Sequence, residues 1–239
     1  MPYALKAQVI ANFREGMMKP VQIKSGIAAA LFTVSLSACA GVDIEQIHSP
    51  GSDFELVNGG IRIGGNSVVG DLETVNGSIK LGSQSQADDI EVVNGSITLG
   101  DDVTVSSIES VNGGITAGDR LQVEEGIDSV NGHIRLGEGA VLGEGIETVN
   151  GKISFSGARI GGDIETVNSN LDTGANSVIL GDIVYGEASR GNHTPVVVIG
   201  PGTRVEGDLR FERLVDLRVH ETATIGRVIR LKDAAGRLY

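Results

Sequence analysis

The stretch Val93-Asn94-Gly95-Ser96-Ile97-Thr98-Leu99-Gly100-Asp101-Asp102-Val103-Thr104-Val105-Ser106-Ser107-Ile108-Glu109-Ser110 decides the fold, because the residues that follow, Val111-Asn112-Gly113, begin it again. Ile97-Thr98-Leu99 and Val103-Thr104-Val105 alternate apolar and polar residues with period two, the signature of a strand. Asn94-Gly95 and Gly100 interrupt them. Val-Asn recurs at Val57-Asn58, Val75-Asn76, Val93-Asn94, Val111-Asn112, Val130-Asn131, Val149-Asn150 and Val167-Asn168, in steps of 18 or 19 residues. Gly follows in the first six copies and Ser169 in the seventh. Four residues after each Val stands Ile61, Ile79, Ile97, Ile115, Ile134, Ile153 or Leu171. Three before it stands Phe54, Leu72, Ile90, Ile108, Ile127, Ile146 or Ile164.

A period this short, with two turn signals in it, cannot hold a packed helix pair. Short strands that bury their apolar side on the next rung can fill it, and the result is a β-solenoid. The predicted fold class is all-β: a single-stranded β-solenoid (β-helix), roughly triangular, with about 18 residues per coil and nine or ten coils. Such a rod would be about 45 Å long. Asn-Gly is the usual hairpin signal, but every copy repeats the same columns, so the corner reading is preferred. Asn58, Asn76, Asn94, Asn112, Asn131, Asn150 and Asn168 are then a structural corner ladder, pairing amides from rung to rung. Two readings of the adjoining strand stand. Strict alternation from Ile164 turns Thr166 and Asn168 inward, whereas a bend turns Val167 inward.

Composition agrees with a solenoid. The 239 residues are 40% hydrophobic and only 3% aromatic, with no Trp and 35 Gly; neither an ordinary helical globule nor a collagen-like chain has this profile. The net charge of −12 is a poor start for neutralising phosphates, so no nucleic-acid partner is expected. The charge is uneven: residues 40–190 carry 24 acidic and 7 basic residues, and residues 191–239 carry 6 and 8. One Cys excludes an internal disulfide framework and a Cys-cluster zinc site.

After Asn168 the pattern changes without stopping. Val178-Ile179-Leu180-Gly181-Asp182-Ile183, Thr203-Arg204-Val205-Glu206-Gly207-Asp208-Leu209 and Thr224-Ile225-Gly226-Arg227-Val228 share a hydrophobe-x-Gly-(Asp)-hydrophobe element, seen earlier at Val69-Gly70-Asp71-Leu72 and Ile160-Gly161-Gly162-Asp163-Ile164. This element resembles the bactofilins, a polymer-forming cytoskeletal β-helix family. The Val-Asn-Gly-x-Ile columns resemble the adhesin repeats of bacterial envelope proteins. The solenoid is expected over 54–231, with Val-Asn-Gly coils over 54–174, bactofilin-like coils over 175–231, a protruding loop at 186–195 and a tail at 232–239. Open edges at the terminal coils would allow a homo-oligomer.

The first 38 residues read as an export signal: Lys19 and Lys24, an apolar stretch from Gly26 to Ala38, and small residues before Cys39. About a dozen apolar residues are too few to span ~30 Å of hydrocarbon. Met17 and Met18 offer alternative starts. Leu36-Ser37-Ala38-Cys39 resembles the lipobox of bacterial lipoproteins, which implies cleavage before Cys39, lipidation of that residue, and a membrane anchor with residues 39–53 as lipidated Cys and tether. Ala40, rather than Asp, follows the Cys, a pattern that in Gram-negative lipoproteins implies the outer membrane more than the inner. Several acyl chains on one residue suffice for stable attachment.

For chemistry, the columns offer one conspicuous feature. Glu55, Glu73, Glu91, Glu109, Asp128, Glu147 and Glu165 stand two positions before each Val. Neighbouring charges about 4.8 Å apart repel by roughly 0.9 kcal/mol in bulk water. A divalent cation such as calcium would relieve this, but a repeated solubilising residue, offset by Arg62, Lys80 and Arg135 in a neighbouring column, is preferred. No cofactor and no metal site are expected. Asp88-Asp89, Asp101-Asp102 and Glu124-Glu125 read as solvated loop charge, and His48, His133, His193 and His220 lack paired ligand spacing. No nucleophile elbow, P-loop or Rossmann fingerprint is present. The expectation is an envelope lipoprotein with a non-catalytic structural or adhesin-like scaffold role, binding copies of itself or an unidentified envelope protein or glycan. The alternative is a glycan-active or glycan-binding β-helix protein using Glu187, Arg190 and His193 of the loop; it would need stacking aromatics that the chain scarcely has.

Overall fold

The computed structural model describes residues 41–187 and 193–230. Among them there is no helix, and every strand pairing is parallel. The chain is a β-solenoid of about ten turns with about 19 residues per turn. Hairpins are absent from these pairings, so Asn-Gly turns a corner.

Each turn lays down three faces. The first runs from Phe54–Asn58 through Leu72–Asn76, Asp89–Asn94 and Ser107–Asn112, and ends in Ile183–Tyr185, Leu209–Phe211 and Val228–Arg230. The second runs from Val42–Ile44 through Ile61–Ile63, Ile79–Leu81, Ile97–Leu99 and Ile115–Ala117 to Val196–Ile199 and Asp216–Val219. In the middle turns one strand crosses the Asn-Gly corner and serves both faces: Ile127–Glu138, Ile146–Ser156 and Ile164–Asp172. The third face has short strands, Thr104–Val105, Gln122–Val123, Val141–Leu142, Arg159–Ile160, Val178–Ile179 and Arg204–Val205. Bridges at His48, Val68, Gln86 and Thr224 extend it at both ends.

Period two explains the core. Ile61, Ile79, Ile97, Ile115, Ile134, Ile153 and Leu171 stack as one buried column, and Leu72, Ile90, Ile108, Ile127, Ile146 and Ile164 as another. Burying each such side chain contributes about 1.5–3 kcal/mol relative to leaving it exposed. Three aromatics are buried in this core: Phe155 in the middle turns, and Tyr185 and Phe211 near the carboxy end, edge to face at 5.7 Å.

Alternation holds as far as Thr166 and breaks at the corner, so each reading is half right. Thr74, Ser110, Ser129, Thr148 and Thr166 are buried, whereas Val57 is 62% exposed and Val75 36%. Asn168 nevertheless stays at the corner, donating to Asn150. Val167 is buried as well, in the one coil where Arg213 donates to its carbonyl.

One expected boundary moves. Residues 41–52, read as tether, already form most of a first turn: Val42 N–H donates to Gly60 O at 2.9 Å, Gly64 N–H to Ile44 O at 2.7 Å and Val68 N–H to Ile47 O at 2.7 Å. The reading failed because this turn lacks the Val-Asn-Gly signature, although its Ile44 and Ile47 pack against the core. Cys39, Leu36, Ser37, Ala38 and the tail at 232–239 lie outside the described residues.

Candidate interaction surface

Three corners separate the faces, and each carries a ladder of side chains along the rod. At the Asn-Gly corner the amides form one chain. Asn76 Nδ2 donates to Asn58 Oδ1 at 3.2 Å, and Asn94, Asn112, Asn131, Asn150 and Asn168 each donate to the Asn below at 2.9–3.1 Å. Glycine is required beside this ladder: at Gly151, with φ +143°, a Cβ would lie 1.6 Å from Gly132 O.

The corner before the first face is a stair of aspartates. Asp53 Oδ1 accepts the Asp71 N–H at 3.0 Å and Asp71 Oδ1 accepts the Asp89 N–H at 3.2 Å. The stair resumes at Asp163, Asp182 and Asp208, each accepting the N–H of the next turn at 2.7–3.0 Å. The corner after the second face repeats the device with Ser83, Asp101 and Asp119, which accept from Asp101, Asp119 and Glu138. Sequence reasoning missed these roles, taking Asp101 for loop charge. The recurring Gly-Asp before a hydrophobe was the available signal. Nearby, Asn66, Gln84, Asp102, Arg120 and Asn176 all have φ of +54° to +59°, a left-handed column in which Arg120 makes a two-pronged pair with Asp102 at 2.6 and 2.7 Å.

The acid column lies in register along the first face: Glu55, Glu73, Glu91, Glu109, Asp128, Glu147 and Glu165. Burial, followed by the charges of Glu91 and Glu55, pushes Glu73 up to about 7. Glu91 is raised by burial and then by Asp89 and Asp71, and Asp71 is raised chiefly by burial. Among the described residues no three His, Asp, Glu or Cys side chains converge into a group that could hold a metal ion.

The first-face segments 54–58, 72–76, 89–94, 107–112, 127–131, 146–150 and 164–168 contain no Lys or Arg. The second face differs. Its outward column reads Asp43, Arg62, Lys80, Thr98, Thr116, Arg135, Ser154 and Asp172, and ends in Arg218. Arg62 pairs with Asp43 at 3.3 Å within that column; Arg62, Lys80 and Arg135 are exposed.

A second missed residue is Arg213, 7% exposed. Its Nη1 donates to Val167 O at 2.8 Å and to Asn168 Oδ1, and its Nη2 donates to His193 O at 2.6 Å. It closes the upper end of the asparagine ladder. Tyr185, whose hydroxyl donates to Ser169 O at 2.9 Å, lies beneath it; burial raises that phenol well above its ordinary value, and the Arg213 charge opposes the rise. No sequence motif announces a contact between residues 45 positions apart.

Of the loop candidates, Glu187 and His193 are exposed, and Arg190 lies outside the described residues. Glu212 has its carboxyl raised by burial, with the nearby Glu187 charge adding to this and the Glu187 N–H opposing it. No family model, no curated protein and no solved structure matches the chain.

Proposed function

We propose that the chain is an exported bacterial envelope lipoprotein, lipid-anchored through Cys39 in the outer membrane. Its solenoid serves as a non-catalytic, adhesin-like rod that binds copies of itself or an envelope partner. The observation that carries this reading is the continuity of the columns. About ten turns share one register, and hydrogen-bonded ladders run along the corners. Bending such a rod would break several bonds at once, so it suits spacing and presentation. The lipobox resemblance at Leu36-Ser37-Ala38-Cys39 supports the anchor, and the bactofilin-like element supports a polymer-forming geometry.

Self-association through the terminal coils is the form of assembly favoured. At the amino end Val42–Ile44 pairs with a strand on one side, and at the carboxy end so does Val228–Arg230, among the described residues. Exposed Leu214, Val219 and Val228 add apolar surface to the carboxy end. Such an edge accepts a further strand. Analytical ultracentrifugation of residues 40–239 across concentration, with and without calcium, tests this. Growth with concentration in both conditions is expected. Growth only in calcium would move the binding to the acid column, and a monomer throughout would remove self-association from the reading.

The glycan-active alternative draws on one observation, the adjacency of Glu187 and Glu212. Sugar release by the wild-type chain, lost in both Glu187→Gln and Glu212→Gln, would establish it.

A further inference from the structure

The faces of the rod differ in charge, and the difference repeats at every turn. On the first face, seven turns carry a carboxylate at the same place, exposed at Glu55 and half-buried in the other six, and no basic residue stands between each carboxylate and its Asn corner. On the second face the outward residues are neutral or basic over most of the length. In the outward column Arg62, Lys80, Arg135 and Arg218 stand against Asp43 and Asp172, with Arg62 paired to Asp43 and Arg218 to Asp216. Both columns follow the solenoid's own spacing of about 4.8 Å, so two rods aligned side by side match rung for rung. Val57 and Val75, exposed apolar residues of the first face, lie next to the acid column.

We propose that the second face of one copy docks laterally on the first face of another, basic column against acid column. The contact is heterologous: each rod keeps one face of each kind free, so the association extends to further copies rather than closing as a pair. It goes beyond end-to-end joining through the terminal coils, and the two differ in what breaks them. One strand's width by seven rungs is roughly 500 Å² per partner, at the lower end of specific interfaces. The contact is therefore weak between free molecules and strengthened when copies share a surface. Electrostatic complementarity of this kind falls with salt.

The test uses residues 40–239 at up to about 0.5 mM, followed by sedimentation in 20 and 500 mM sodium chloride. Lateral docking predicts association that weakens about tenfold or more at high salt. The double variant Arg62→Glu/Lys80→Glu loses association, and so does Glu73→Lys/Glu91→Lys. An equimolar mixture of the two regains it, because the mixture again offers unlike faces. Circular dichroism of each variant, together with the single variant Lys80→Glu, separates loss of docking from loss of fold. Association that survives both salt and both double variants would overturn lateral docking and leave the terminal coils as the joint. Absence of rescue in the mixture, with both variants folded, would also overturn it.

Discussion

In the Val-Asn-Gly coils the first face stacks carboxylate on carboxylate, whereas in the last coils the carboxylates meet arginines. Asp182 pairs with Arg210 at 2.8 Å and Asp208 with Arg227 at 2.6 Å, and on the second face Asp216 pairs with Arg218 at 2.5 Å. Glu73 is pushed up to about 7, whereas Asp208 and Asp216 are held below their ordinary value by hydrogen bonds from Arg227 and Arg218. The same turn geometry thus tolerates opposite surface chemistry, because hydrogen-bonded ladders and an apolar interior close each turn. The two regions also differ at the Asn corner: amides bond to amides as far as Asn168, and there a single buried guanidinium ends the series.

The sharpest break in this comparison comes at glycine. Gly151 and Ser169 occupy the same column in successive turns. Gly151 has φ +143° and Ser169 is not among the residues with positive φ, so the backbone changes where the repeats end. Gly151→Val forces a Cβ into Gly132 O and should cost more than about 4 kcal/mol or unfold the domain. Ser169→Gly should cost less than about 1 kcal/mol. Urea denaturation followed by circular dichroism checks both; equal effects would dissolve the distinction.

Arg213→Met comes next. It removes the donor shared by Val167, Asn168 and His193 while keeping much of the bulk, and should destabilise by about 2 kcal/mol. The loss should appear first as faster hydrogen exchange in the coils around Asn168 and Tyr185, not near Asn58.

A third contrast concerns pH. The Glu73 carboxyl holds a proton in the folded chain where the unfolded chain, at its ordinary value of 4.5, has released it. Stability therefore falls as pH rises from about 4.5 to about 7, and the penalty is complete above that range. Asp208 acts in the opposite sense: its depressed value adds stability above its ordinary 3.8 and loses it as the pH falls below. The melting temperature at low salt should be higher at pH 5.5 than at pH 7.5, and Glu73→Gln should flatten that slope. A slope unchanged in the variant would assign the effect to other groups. The smallest effect is expected from Asn112→Ala, which removes two exposed amide bonds, for about 1 kcal/mol in the same denaturation assay.

Most of the architecture was legible because a solenoid writes its period into the chain. The Val-Asn steps, the Ile columns and the alternation at Ile97-Thr98-Leu99 each record the same turn. Periodicity gives the columns but not which side of the strand faces in, so the orientation of Thr166 against Val167 awaited the register. The first turn was hidden because residues 41–52 carry its strand without its corner motif. The aspartate stairs were hidden in plain composition, since an Asp that accepts the backbone N–H of the next turn looks like any surface acid. Arg213 could not be read at all, as its partners come from a different part of the chain.

The most direct test of the account is the intact mass of the protein isolated from bacterial membranes after expression of the full chain. A chain beginning at Cys39 and carrying acyl groups there, with Cys39→Ser left unacylated and released from the membrane, is the predicted result. A chain that keeps its first 38 residues with a free Cys39 thiol, or one cleaved but unacylated and soluble, would contradict it.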